Sequence, residues 1–257
     1  MTDATIAAIR DLLSQCSSEL QETLFRELRQ RYQIHEFERI IGAPAEMILE
    51  AVHRAPELTR RMLRGVIADA AFRTFVVPTI TPSGWRDITP EGNFAFDYKL
   101  EDGQGAITVQ VKLQRSERGQ PVVRKGSRFG FAGEVFITET QKTRTGTDGD
   151  DNKTRPYRFG EFDILAVSMQ PSTCRWDRYM YTLGRWLLPS NKKSGEIATM
   201  QPVAQLPNDF WTNDFAVAAK WFRTDDGGKR MKLASPAKAR SRKKGSRKRR
   251  PSSHRLN

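Results

Sequence analysis

Asp97, Gln110 and Lys112 are the residues of this 257-residue chain whose types and spacing could do chemistry together. They lie in NFAFDYKLEDGQGAITVQVKLQR, residues 93–115, which reads as a β-hairpin. Phe94, Phe96, Tyr98 and Leu100 share one face of its first half, and Ile107, Val109, Val111 and Leu113 one face of its second. Gly103-Gln104 suits the two-residue loop of a type II′ turn. Leu100 then faces Ile107, Tyr98 faces Val109 and Phe96 faces Val111, and a one-residue slip would put the two apolar sets on opposite faces. This register sets Asp97 opposite Gln110, about 4.5–5.5 Å between Cβ atoms, with Lys112 two residues along the same face. A carboxylate, an amide oxygen and an ammonium gathered there match what phosphodiester hydrolysis uses: oxygen ligands for Mg²⁺ and a cation to position the nucleophile or offset charge. The same alternation equally suits a half-exposed hairpin with polar residues outward.

The elements that must position this hairpin change character near residue 75. Before it, Ile6, Ile9, Leu12, Leu13, Cys16, Leu20, Leu24 and Leu28 recur at helical steps and predict one long amphipathic helix. Gly42-Ala43-Pro44 breaks the pattern ahead of a second helix bearing Met47, Ile48, Ala51 and Val52, and Pro56 precedes a third over 58–72. That helix turns Met62, Val66, Ile67 and Ala70 toward a core. Asp69 sits at the border of the stripe, either as an ion-pair partner for a nearby Arg or aimed at something buried. After residue 75 the period is two, and strands are predicted over 93–100, 106–115, 134–141, 162–169 and 177–188. FDILAVSM, residues 162–169, is apolar on both faces, as a central covered strand is. A polar loop, 142–155, separates two of these strands, and a last helix over 213–222 presents Phe215, Ala218, Ala219 and Phe222.

The charge is unevenly placed. Thirteen of the 43 Lys/Arg lie from Lys229 onward, where no acid occurs, so the net +13 belongs to the C-terminal end and the body is neutral. That end lacks core-forming residues and predicts a disordered segment suited to phosphates without sequence preference, although an address signal or a solubilising extension has the same composition. No run approaches a membrane span, and the amphipathic, early-acid N-terminus is unlike a signal peptide, so a cytoplasmic protein is expected. Cys16 and Cys174 have no CxxC companion and read as free thiols. With only His35, His53 and His254, paired-histidine catalysis is poorly supplied. A small-molecule α/β enzyme finds no GxGxxG, P-loop or GxSxG.

Asp97 followed by Gln110-Val111-Lys112 resembles the signature of the PD-(D/E)xK nuclease superfamily. The ordered segments RGVIADAAF, FDYKLE…TVQVKLQR, ETQKTR and YRFGEFDILAVSMQPSTCRW resemble its type II restriction-endonuclease-like members over residues 58–188. The resemblance implies an α/β restriction-endonuclease-like core at 57–223, a mixed central sheet flanked by helices. It would follow a helical region at 1–56 that contacts DNA or a second copy, and precede a disordered basic tail at 224–257. It further implies Mg²⁺-dependent, sequence-specific cleavage of double-stranded DNA to 5′-phosphate and 3′-hydroxyl ends, by a homodimer associated with the nucleoid when bound. Asp97 would be a metal ligand, Gln110 would hold the (D/E) position, Lys112 would be the catalytic lysine and Asp69 the helix acid. Two departures stand out. Gln110 replaces an acid, which Glu139 would compensate, and no helical pattern fills 114–158. Glu139 and Gln141 form an alternative ligand set, and a non-catalytic DNA-binding protein with a degenerate core is the alternative function. Arg115, Arg118, Arg124, Lys125, Lys142 and Arg144 are candidates for DNA contact.

Overall fold

The computed structural model describes residues 2–142 and 156–233, so Arg144, most of the polar loop and the last 24 residues lie outside the described residues. The chain divides into two units, Met1–Ala70 and Ala71–Asn257. The division falls after Ala70, later than the Pro56 boundary read from the sequence.

The first unit is helical: α1 (Thr2–Gln15), α2 (Ser18–Arg31), α3 (Glu36–Ile41), α4 (Ala45–Arg54) and α5 (Glu57–Ala71). The single helix expected over residues 6–28 is two. Ser17 is extended and its hydroxyl accepts the N–H of Leu20 at 3.3 Å, while the Gln21 amide donates to the carbonyls of Leu13 (2.8 Å) and Cys16 (3.2 Å). These caps satisfy both helix ends at a point the apolar repeat runs straight through. Glu38 performs a second organising role. Its carboxylate accepts the N–H groups of Ile34 (2.7 Å), His35 (2.8 Å) and Ala45 (3.0 Å), joining the starts of α3 and α4. On α5, Ala68 and Ala71 are buried, whereas Met62, Val66 and Ile67, expected to face a core, are 52%, 63% and 39% exposed. Apolar residues at 66, 67, 68, 70 and 71 surround most of the helix, so spacing alone does not select a face.

In the second unit, the π turn Phe72–Val76 and α6 (Val77–Ile80) lead to a mixed five-stranded sheet. Its order is β1 (Arg86–Asp87), β2 (Tyr98–Asp102), β3 (Gly105–Leu113), β8 (Ile164–Ser168), β9 (Tyr179–Leu183). β3 and β8 are parallel and the other pairs antiparallel. All five residues of β8 are buried, in keeping with its apolar sequence. α7 (Gln170–Thr173) follows β8, and α8 (Phe215–Thr224) packs on β8 and β9, capped by Asp214 accepting the Ala216 N–H at 2.8 Å. One face of the sheet is aromatic: Phe72 meets Tyr98 and Tyr179 at 4.9 and 5.4 Å, and Phe215 meets Trp85 and Tyr181 at 5.2 and 5.7 Å. The other face carries Leu165, Val167 and Met180 into a core with Leu187, Leu188, Val203 and Trp211.

Between β3 and β8 the chain builds a ribbon, β4 (Ser116–Glu117) with β5 (Gln120–Pro121), and a second antiparallel sheet. This sheet has the order β10 (Met200–Ala204), β7 (Glu134–Glu139), β6 (Val123–Lys125). The Thr138 hydroxyl donates to Leu113 O at 3.0 Å, tying β7 to the end of β3. The described residues of this crossover contain no α-helix, only a 3₁₀ turn at Gly126–Phe129.

The start of the basic end is packed, contrary to expectation. The Lys229 ammonium lies 4.2, 4.8 and 5.7 Å from the ring centres of Trp186, Phe210 and Trp221, and Met231 is 1% exposed, its N–H donating to Trp186 O at 2.7 Å. Lys229, counted as solvated charge, is half-buried and sets its cation on these rings.

Candidate active site

The β2–β3 hairpin has the register specified by its apolar alternation, with Tyr98 opposite Val109 and Leu100 opposite Ile107. Its turn is not type II′. The positive φ falls on Gly105 (115°) rather than Gly103, and the Asp102 carboxylate accepts the N–H of Gln104 at 2.9 Å, a side-chain turn that replaces the primed geometry. The first strand also begins at Tyr98, not residue 93, so Phe96 does not pair with Val111. The reason lies in Asp97. Its Oδ2 takes the Val111 N–H at 2.7 Å, a donor the ladder would otherwise have offered to the incoming strand.

Asp97 is thus held by its own backbone N–H on Val109 O (2.9 Å) and by Val111 at its carboxylate. Gln110 is 2% exposed; its Nε2 donates to Asp97 Oδ2 and, at 3.1 Å, to Val111 O. Lys112, half-buried, carries its Nζ 5.3 Å from the ring centre of Tyr157. A second ammonium, that of Lys142, stands 5.5 Å from the same ring and forms an ion pair with Glu161 at 2.6 Å. Glu161 also accepts the Arg158 N–H at 2.9 Å. Burial, then the charges of Asp97 and Glu161, push the Tyr157 phenol well above its ordinary pKa, so it remains a neutral hydroxyl. Lys142, read as a DNA-contact residue, therefore belongs beside the candidate site.

Tyr157 and Glu161 escaped the sequence reading. The available signal was their place in YRFGEF, immediately before the apolar run that becomes β8, the parallel neighbour of the lysine-bearing strand. Asp163, the residue that follows that segment, fixes the neighbour's height by accepting the N–H and hydroxyl of Thr108, each at 2.8 Å.

The remaining candidates are distributed differently. Asp69 lies on α5 in the first unit. Glu139 is engaged by Arg115 at 3.4 Å and by the Gln141 amide, so the two side chains of the alternative ligand set bind each other. Among the described residues no group of three His, Cys, Asp or Glu side chains is gathered as metal ligands. Arg115 also pairs with Glu117 at 3.1 Å. Arg118 has a left-handed φ of 51° between β4 and β5, and Arg124 and Lys125 are exposed on β6.

No protein-family profile and no curated protein matches the sequence. Among solved structures, a bacterial homing endonuclease, I-Ssp6803I, is similar over 52% of this chain and 81% of its own, at 21% identity and a TM-score of 0.31. No helix among the described residues is long and apolar enough to cross a membrane.

Proposed function

We propose that the chain is a Mg²⁺-dependent, sequence-specific endonuclease of double-stranded DNA, of the type II restriction kind, with its site at the end of the β2–β3 hairpin away from its turn. The observation that carries this reading is the amide of Gln110, wedged between two oxygen acceptors, the Asp97 carboxylate and the Val111 carbonyl.

That arrangement fits a small hard cation. The –NH₂ group occupies the space between oxygens that would otherwise repel, and presenting the amide oxygen instead leaves three oxygen donors whose mutual repulsion a divalent ion relieves. Asp97, Gln110 and the Val111 carbonyl would hold Mg²⁺. Bound there, the ion would supply polarisation of the phosphate and a more acidic water. Lys112 orients the attacking water and offsets negative charge gathering on the phosphoryl oxygens. Tyr157 supports the Lys112 stem and ammonium through its ring while its neutral hydroxyl adds no competing negative charge. The Glu161–Lys142 pair brings a further cation to the same ring, on the path of the DNA backbone. Cutting both strands calls for two sites, so a homodimer is part of the proposal.

A second reading, DNA binding without cleavage, is favoured by one feature, the single carboxylate of the Asp97–Gln110 pair. Incubating supercoiled plasmid with the protein in Mg²⁺ and in EDTA separates the two. Cleavage in Mg²⁺ alone supports the nuclease, whereas retardation of uncut plasmid in both supports the binding protein.

A further inference from the structure

The second sheet holds a cavity that the proposed chemistry does not use. Its volume is about 410 Å³, within the span of about 300–1,000 Å³ usual for small-ligand sites. Val122 and Ile137, both buried, form part of an apolar floor, and Phe129 adds an aromatic ring to the wall. Arg115, Arg124 and Arg128 stand around it. Arg115 is neutralised by Glu117 and Glu139. Among the described residues Arg124 hydrogen-bonds only to the carbonyl of Val123 (2.9 Å), and neither it nor Arg128 is ion-paired there. Two uncompensated guanidinium groups thus border an apolar, aromatic-walled space. The chain itself is a poor occupant: Leu233 reaches the cavity wall, but the segment after it carries ten Lys/Arg and no acid, the same sign as the rim.

We infer that this cavity binds a nucleoside monophosphate unit, its base against Phe129 and the apolar floor and its phosphate on Arg124 and Arg128. Guanidinium forks suit phosphate oxygens in paired geometry, and a base gains from an aromatic face without sequence-specific hydrogen bonds. The assignment of the anion as a nucleotide rests on the nuclease reading. The unit belongs either to a DNA strand, as a nucleotide turned out of the stack, or to a free mononucleotide. The cavity sits on the sheet that Thr138 joins to the end of β3, so it travels with the Lys112 strand as one scaffold.

The test uses the full chain in EDTA, so cleavage does not enter it. In one arm, deoxyadenosine monophosphate and, separately, deoxyadenosine are titrated into the wild type and into the Arg124→Glu, Arg128→Glu double variant, whose altered side chains are exposed. The wild type should bind the monophosphate at least about tenfold more tightly than the nucleoside, and the double variant should lose that difference. In the other arm, a duplex carrying 2-aminopurine is added. A fluorescence rise with the wild type, absent with the variant, assigns the unit to DNA, and monophosphate binding without a rise assigns it to the free nucleotide. No monophosphate binding by the wild type, or equal binding by the variant, overturns the inference. A protein that fails to nick plasmid but passes this test would sink the nuclease reading and leave the cavity assignment standing.

Discussion

The Gln110 Nε2 donates to the Asp97 Oδ2 across the hairpin, so in the proposed metal site the amide satisfies the carboxylate it stands beside. A neutral amide lets the two side chains rest together without an ion. It also makes the cost of metal-free folding the property that a substitution alters most clearly.

Gln110→Glu should be less stable than the wild type without metal, because two buried-side carboxylates repel and Val111 O loses its donor. Loss of such a bond costs about 1–3 kcal/mol, a drop of roughly 2–10 °C in melting temperature for a unit of this size. Millimolar Mg²⁺ should recover most of that loss while moving the wild type less. Melting curves of both proteins in Mg²⁺ and EDTA check this, and a variant indifferent to Mg²⁺ would remove Gln110 from the metal set.

Glu38 should make the helical unit acid-sensitive. Hydrogen bonds from the backbone of His35 first, and of Ile34 and Ala45, lower its pKa below the ordinary 4.5, against a smaller opposing effect of burial. The folded state therefore releases this proton more readily than the unfolded one. The stability it contributes is present above pH 4.5 and is lost as pH falls through the lowered value. Glu38→Gln should melt below the wild type at pH 7, with the gap closing in acid. Circular dichroism melts across that range measure it.

Tyr157 and Tyr181 should resist alkaline titration. Burial raises both phenols above 10.0, with Asp97 and Glu161 adding to the effect at Tyr157, and Tyr179 and Asp214 at Tyr181. The unfolded chain loses these protons first as pH rises, so their contribution is intact below pH 10 and is lost as pH climbs toward the raised values. Absorbance of tyrosinate during a pH titration should show Tyr157 and Tyr181, at least, ionising only together with loss of folded structure. Free titration of all five tyrosines near pH 10 would contradict the buried placement.

Gly184 should not tolerate a side chain. A Cβ there would lie 2.5 Å from the Phe162 carbonyl oxygen and 3.1 Å from its ring, while the Gly184 N–H is held on Asp163 O at 2.7 Å. Gly184→Ala should cost about 1–3 kcal/mol through forced displacement, read as an earlier denaturant midpoint with unchanged slope.

The hairpin register and the burial of β8 were legible because alternation of period two leaves one consistent pairing, and because FDILAVSM has no polar face. The start of β2 was not, since the competition is between the backbone ladder and one carboxylate, Asp97, whose choice alternation does not encode. The same holds at Ser17, where a hydroxyl cap divides a helix that the apolar repeat joins. Tyr157, Glu161 and Lys142 come together only through the return of the chain to β8, across a crossover in which β7 alone of the second sheet was read from the sequence. The root of the basic end was misread for a different reason. Charge counting treats Lys229 and Arg230 as solvated, whereas their cations meet Trp186 and Phe159 at 4.2 and 4.3 Å.

The central claim is that Lys112 acts on the water at a site built by Asp97 and Gln110. The most direct measurement is the rate of plasmid cleavage in Mg²⁺ by Lys112→Ala, with affinity for the same DNA measured in parallel in EDTA. The account predicts at least a hundredfold loss of rate, in the range usual for removing a positioned proton-transfer group, with affinity changed by less than about tenfold, the effect of a single backbone contact. Cleavage by Lys112→Ala at the wild-type rate would contradict it.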